Sequence, residues 1–139
     1  MPSETFDARF ENLARICKFV TTAARQVGFN DAQVYDVELA TNEACTNIIE
    51  HGYAENPDGK IECSVEVEAK VITVVLRDWG TPFDASDVPD KDFEVPLQEL
   101  GPRGAGLRLM RGTMDELEFE RLPGDENRVT MKKYRQSKR

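Results

Sequence analysis

The sequence predicts an α+β fold, a two-layer sandwich in which helices cover one face of a mixed, mostly antiparallel sheet. Three observations predict it. Apolar residues recur at steps of three and four in two N-terminal segments, two pairs of alternating segments follow, and a third helical pattern lies between those pairs. The expected order is α-α-β-β-loop-α-β-β. Because strands pair in hairpins and helices occur in groups, the helices should form one layer on the sheet.

The first two helices are predicted from their apolar stripes and their end signals. The first covers roughly residues 6–27, with Asp7 as its cap and Gly28 just beyond its end. Asn30 or Asp31 caps the second helix, and Gly52 ends it. The core stripe of this second helix contains Val34, Val37, Thr41, Ala44 and Ile48.

Two β-hairpins and a short helix make up the rest of the predicted fold. Residues 61–67 and 71–76 alternate or are β-branched and form the first hairpin, and residues 116–120 and 128–131 form the second. A stretch rich in glycine and proline, residues 79–104, shows no period and is predicted to be a lid or a binding loop. Leu107, Met110 and Met114 mark the short helix that follows.

Composition restricts the classes of protein that this chain can be. Its 139 residues suit one domain, and 40% hydrophobic with 32% charged residues is typical of a globular protein. The net charge of −8 disfavours direct nucleic-acid binding. No apolar stretch suits a membrane helix, and the N-terminus has no secretory signal, so a cytoplasmic location is expected. The three cysteines match no disulfide framework and are expected to be buried thiols.

Three polar or glycine-containing motifs are candidates for chemistry. Glu43, Asn47 and His51 follow one another at four-residue steps, along one side of the second helix. A carboxylate there could accept a proton, and an amide oxygen could bind Mg²⁺. Taken alone, such a stripe is more often a solvated helix face, and His51 alone is more often a helix-end imidazole.

The other two motifs are equally weak when taken singly. Asp78 ends the most apolar strand, where an acceptor could bind the exocyclic amine of adenine, and Gly80 would let the backbone pass close to a ring. A strand-terminating turn is the plainer interpretation. Gly104 and Gly106 open the third helix and could expose backbone N–H groups to an anion, although a flexible hinge explains them as well. Their occurrence in this order, together, favours a nucleotide site.

Together these motifs resemble those of the GHKL ATPases, the superfamily of gyrase, heat-shock chaperone, histidine kinase and mismatch-repair ATP sites. Within it the chain most resembles the small anti-sigma-factor serine/threonine protein kinases, over about residues 6–135. The resemblance implies a Bergerat-type ATP-binding fold, with residues 1–139 as a single histidine-kinase-like ATPase domain and 84–103 as an ATP lid. It rests on Asn42-Glu43-Ala44-Cys45-Thr46-Asn47 with His51-Gly52-Tyr53, on Arg77-Asp78-Trp79-Gly80 with Pro82-Phe83-Asp84, and on Gly104-Ala105-Gly106-Leu107 with Met114-Asp115-Glu116.

The resemblance also implies roles for individual residues. Glu43 would be the general base and Asn47 the ligand of Mg²⁺. Asp78 would bind the adenine amine, and His51 falls at a motif position without an assigned role. The remaining residues implied at the ATP site are Gly80, Phe83 and Thr130 near adenine, and Arg103, Gly104, Ala105, Gly106 and Leu107 around the phosphates.

The implied activity is a protein-serine kinase acting in partner switching, with ATP and Mg²⁺. Its expected partners are a sigma factor and an anti-sigma antagonist of the STAS type, with neither nucleic acid nor membrane. Two alternatives remain open: a nucleotide-binding interaction module without kinase activity, and a detached histidine-kinase ATP-binding domain. The first strand of the family is expected to be short or absent here, since only Ser3 to Phe6 are available for it, which leaves a homodimer as an open expectation.

Overall fold

The computed structural model describes residues 2–82 and 102–135, with only the backbone for 102–105. Five strands form one sheet in the order β1-β2-β3-β5-β4, and every neighbouring pair is antiparallel. The predicted α+β sandwich is therefore confirmed, whereas the described strands contain none of the parallel pairing that a mixed sheet would need. The strands are β1 (Ser3–Asp7), β2 (Lys60–Glu68), β3 (Val71–Asp78), β4 (Glu116–Leu122) and β5 (Glu126–Tyr134).

Three α-helices cover one face of the sheet: α1 (Leu13–Gln26), α2 (Asp31–Asn47) and α3 (Pro102–Thr113). Strand residues that point to the helices are almost completely buried, as expected from the two-residue period of a strand. They include Ile61, Cys63, Ile72, Val74, Leu76 and Met131, each 0% exposed. The three cysteines are free and buried, as the sequence predicted.

The beginning of α1 differs from the prediction. Asp7 does not cap this helix, because it is the last residue of β1 and forms an ion pair with Lys60 across the β1–β2 pairing. A short 3₁₀ helix, Phe10–Asn12, follows before α1 begins at Leu13. The end is as predicted, since Gly28 has a φ of 85°, in the left-handed region that favours glycine. The short β1 pairs with β2 at the sheet edge.

The second helix has the cap that the sequence predicted and an irregular end. Asn30 accepts a hydrogen bond from the Gln33 N–H at 2.8 Å, and the Gln33 side chain accepts one in return from the Asn30 N–H. At its other end α2 continues as a π-helix, Ile48–Gly52. Such wider turns are rare and are often found at functional sites.

The third helix starts earlier than predicted. It begins at Pro102, whose fixed φ suits a first helical turn, so Gly104 and Gly106 lie within the helix rather than before it. Burial of Leu107 and Met110 holds the helix on the core. At its C-terminal end the Thr113 carbonyl accepts a hydrogen bond from Lys133 Nζ at 2.7 Å, and the same ammonium contacts Asp36 at 3.1 Å. This contact ties α3 to α2 and β5.

Candidate active site

A cavity of about 400 Å³ lies where the end of α2 meets the end of β3 and the β4–β5 hairpin. Its volume falls within the range of small-molecule sites. Elements far apart in the sequence contribute to its wall: Ala44, Asn47, Ile48, Gly52, Asp78, Thr81, Pro82, Phe119, Glu120, Arg121, Asn127, Arg128 and Val129. Asn47 and Asp78, predicted from separate motifs, therefore belong to one cavity.

Asp78 is the buried carboxylate of this cavity, with 6% of its surface exposed. Its Oδ1 accepts hydrogen bonds from the Gly80 N–H and from Asn127 Nδ2, each at 2.9 Å. Burial raises the pKa of Asp78 above its ordinary value, while these hydrogen bonds and the nearby Arg121 act in the opposite direction. The group is an acceptor held in place by two donors.

Gly80 allows two backbone segments to pass close to each other beside Asp78. A Cβ at this position would lie only 2.3 Å from the Gly52 carbonyl oxygen, so no side chain fits. The next residue, Thr81, donates its N–H to the same carbonyl at 2.7 Å. The π-helical end of α2 is thus joined to the segment after β3, and this contact gives a structural reason for the glycine that the sequence singled out.

Glu43 and Asn47 lie one helical turn apart on α2 and face Gly106 of α3. A Cβ at position 106 would lie 3.0 Å from Glu43 Oε2 and 3.6 Å from Asn47 Nδ2. Burial, with a contribution from the nearby Glu50 carboxylate, raises the pKa of Glu43 above its ordinary value. A carboxylate with a raised pKa is better suited to accept a proton near neutral pH.

The Asn47 amide fits the role of a metal ligand or phosphate contact. Its Nδ2 is buried and has no hydrogen-bond partner among the described residues, which is costly for a polar group that binds nothing. Its oxygen is of the type that Mg²⁺ accepts, and Mg²⁺ commonly takes few protein ligands together with phosphate oxygens. The described residues contain no cluster of three or more His, Cys, Asp or Glu that could hold a metal by itself.

Asn127 is the site residue that sequence reasoning missed. Strand register places it opposite Asp78, and it contacts both Asp78 and the Gly80 carbonyl. The family resemblance implies Thr130 near adenine, but Thr130 is not among the residues that line this cavity. Val129 and Met131 on either side of it are buried against the helices, so Thr130 points to the opposite face of the sheet. The alternation of β5 can be predicted from the sequence. Which of its residues lies opposite Asp78 depends on the register between β3 and β5.

The remaining predicted residues divide into three groups. His51 lies in the π-helix and does not line the cavity; its Nε2 is 3.8 Å from Glu50. Leu107 is 0% exposed and packs in the core, so only its backbone could reach a ligand. Phe83, the predicted lid up to residue 101, and the side chains of Arg103 and Ala105 fall outside the described residues, whereas the backbone of Gly104 lies in α3.

Comparison with known proteins agrees with this geometry. A sequence profile described as the histidine kinase-like ATPase domain matches residues 6–133. The chain belongs to this family. Two relatives of this chain are named serine-protein kinase RsbW. They come from Bacillus cereus (strain G9842) and Bacillus anthracis (strain A0248). Each is 30% identical over 131 residues, which cover 91% of this chain and 80% of the relative.

Two solved structures share the fold of this chain. The catalytic domain of histidine kinase ThkA, in a nucleotide-free form, superposes with a TM-score of 0.57 at 15% identity and covers 97% of this chain and 98% of its own. A second crystal form of that domain gives a TM-score of 0.53. At this identity the likeness shows the fold alone. Separately, no helix in the described part of the chain is long and apolar enough to cross a membrane.

Proposed function

We propose that this chain is an ATP-dependent serine/threonine protein kinase that also acts as an anti-sigma regulator. One observation carries the proposal. Asp78 and Asn47 line a single cavity, and Glu43, one helical turn before Asn47 on α2, faces Gly106 of α3 together with Asn47. This arrangement supports Asp78 as the acceptor for adenine, Asn47 as the contact for phosphate and metal, and Glu43 as the proton acceptor.

The adenine end of the cavity is formed around Asp78. Its carboxylate can accept a hydrogen bond from the exocyclic amine of adenine, because Gly80 and Asn127 already hold it in a fixed position. The close contact of Gly80 with Gly52 excludes a side chain at position 80, next to Asp78. Membership of a histidine kinase-like ATPase family supports ATP as the nucleotide.

The phosphate end lies between α2 and α3. Asn47 would hold Mg²⁺ there, and a bound Mg²⁺ would neutralise negative charge on the phosphates during transfer. The positive end of the α3 dipole also favours phosphate. The net charge of −8 makes such local neutralisation necessary, because the chain as a whole repels an anion.

Glu43 would take the proton from the attacking serine or threonine hydroxyl of a protein substrate. Its burial and the neighbouring Glu50 raise its pKa, which brings its affinity for a proton closer to that task. A binding module without chemistry has no need of a carboxylate that faces Gly106 beside Asn47. The relatives named serine-protein kinase support the same activity.

The proposed regulation follows from the resemblance to the anti-sigma-factor kinases. The chain would sequester a sigma factor and would phosphorylate a STAS-type antagonist that competes for it, so that phosphorylation of the antagonist controls which partner is bound. The family resemblance supports this partner class. The individual sigma factor and antagonist have to be found by binding experiments.

The kinase activity is tested with Glu43→Gln. Transfer of phosphate from Mg·ATP to serine of a STAS-type antagonist should fall by roughly 100-fold or more, because general-base catalysis contributes about that much. ATP affinity should change little, since Glu43 lies at the phosphate side. Glu38→Gln is the matched control, an exposed glutamate on the same helix.

Three outcomes distinguish the candidate functions. Acid-stable phosphoserine that depends on Glu43 supports the proposal. Nucleotide binding and partner control that survive Glu43→Gln unchanged, without transfer by the wild type, would identify an interaction module instead. Acid-labile phosphohistidine on a partner would identify a histidine kinase.

A further inference from the structure

The cavity contains a chain of side-chain hydrogen bonds that leads from its rim to Asp78. Arg121 Nη1 donates to Asn127 Oδ1 at 2.7 Å, and Asn127 Nδ2 donates to Asp78 Oδ1 and to the Gly80 carbonyl, each at 2.9 Å. Arg121 is itself anchored in the β4–β5 turn, because its Nη2 contacts Asp125 Oδ1 at 3.0 Å. Both the oxygen and the NH₂ group of the Asn127 amide are therefore used.

These partners fix which way the Asn127 amide points. If the amide rotated by half a turn, its oxygen would face two acceptors, Asp78 Oδ1 and the Gly80 carbonyl. Its NH₂ group would then face the Arg121 guanidinium, which has only donors. The orientation with Nδ2 towards Asp78 is the only one in which every contact pairs a donor with an acceptor.

The same contacts leave the two oxygens of Asp78 in different states. Oδ1 accepts two hydrogen bonds, from the Gly80 N–H and from Asn127. Oδ2 accepts none from the described residues, although Asp78 lines the cavity. One oxygen is thus held by the protein, and the other remains as the acceptor for a ligand.

We propose that Asn127, oriented by Arg121, is the positioning residue that keeps Asp78 a fixed acceptor and so determines selectivity for a 6-aminopurine over a 6-oxopurine nucleotide. This inference rests on the proposed nucleotide site and specifies how that site chooses its base. Asn127 acts through Asp78 and needs no contact with the base.

The physical basis is the protonation state of Asp78. An ionised carboxylate attracts the amino group of adenine and repels the carbonyl oxygen of hypoxanthine or guanine. A protonated carboxyl can donate to that carbonyl, so the discrimination is lost. Burial raises the pKa of Asp78, and the Asn127 hydrogen bond opposes that rise. Without this donor the buried group should be protonated at a higher pH.

The experiment compares ATP with inosine triphosphate, which differs only at the purine 6 position and N1, by calorimetry on wild type and Asn127→Leu. Wild type should bind ATP about tenfold or more tightly than inosine triphosphate, and the variant should reduce that ratio to about threefold or less. In the variant, ATP affinity should also begin to fall at a higher pH than in wild type. Lys132→Gln, on the other face of the same strand, should leave both results unchanged.

The outcomes separate this inference from the proposed function. Wild type that binds neither nucleotide overturns both. Wild type that prefers ATP, together with an Asn127→Leu variant that keeps the same ratio and pH dependence, overturns the role of Asn127 alone. If Asn127→Leu does not fold, Arg121→Met decides, because this side chain is 42% exposed and its loss removes both the donor to the Asn127 oxygen and a positive charge that lowers the pKa of Asp78. An unchanged ratio in that variant contradicts the proposal.

Discussion

At the scale of single residues, the chemistry depends on how burial changes the acidity of Glu43. Its pKa is raised mainly by burial and further by the Glu50 carboxylate. The proposed general base works only when it is ionised, so transfer should decline as pH falls through this raised pKa. Burial and the Glu50 charge therefore both affect the pH at which transfer declines on the acid side of the profile.

The contribution of Glu50 can be tested separately. Glu50→Gln removes a neighbouring negative charge, which makes it easier to ionise Glu43 and lowers its pKa. The acid limb of the kcat/KM profile for phosphate transfer should therefore move to lower pH. Glu66→Gln, an exposed change on the far face of the sheet, is the control. An acid limb that stays in place in Glu50→Gln would contradict the contribution of Glu50 to the pKa of Glu43.

The role of a residue could be predicted where a sequence motif indicated it. It could not be predicted where the register between two strands determined it. Helical spacing alone placed Glu43 and Asn47 on one side of α2, and the strand end placed Asp78 in a buried position. The sequence does not predict Asn127 as a site residue, because its role depends on the pairing between β3 and β5, two strands separated by a long segment. A shift of a single residue in that pairing exchanges the faces of β5.

At the scale of elements, the contact between α2 and α3 sets the geometry of the phosphate end. Gly106 lies where a Cβ would press on Glu43 Oε2 at 3.0 Å and approach Asn47. A Cβ added at Gly112, on the same helix, would meet nothing within 4 Å. Substitutions at these two glycines therefore distinguish the effect of helix propensity from the effect of the contact between α2 and α3.

Substitution by alanine at these two positions gives a matched pair. Gly112→Ala should stabilise the protein by about 0.5–1 kcal/mol in urea unfolding, because alanine favours a helix, and should leave transfer unchanged. Gly106→Ala gains the same propensity but displaces the Glu43 carboxylate, so phosphate transfer should fall by about tenfold or more. Equal transfer rates in both variants would contradict the proposed role of this contact.

Elements with a strong period were predicted well, and elements without one were not. Both hairpins and the stripes of α1 and α2 appear as expected, since alternation and helical spacing report burial directly. The start of α3 was misplaced, because glycines read as a loop while Pro102 and the buried Leu107 favour helix. The π-helix Ile48–Gly52 has no signal in the periodicity, and it forms where Gly52 meets Thr81.

At the scale of the whole molecule, the fold brings together groups that are distant in the sequence. α2 supplies Glu43 and Asn47, β3 supplies Asp78, and β5 supplies Asn127, all on the side of the sheet that the helices cover. Membership of the histidine kinase-like ATPase family agrees with this arrangement. The central claim is that the resulting cavity binds ATP through Asp78.

Calorimetry of ATP binding by wild type and Asp78→Asn, with and without Mg²⁺, tests that claim most directly. Asparagine keeps an oxygen for the Gly80 and Asn127 donors, so the variant should fold, but its NH₂ group faces adenine with a donor where an acceptor is needed. Wild type should bind ATP, more tightly with Mg²⁺, and Asp78→Asn should lose about 100-fold or more in affinity. Equal ATP affinity in the two proteins, or no binding by wild type, would contradict the account.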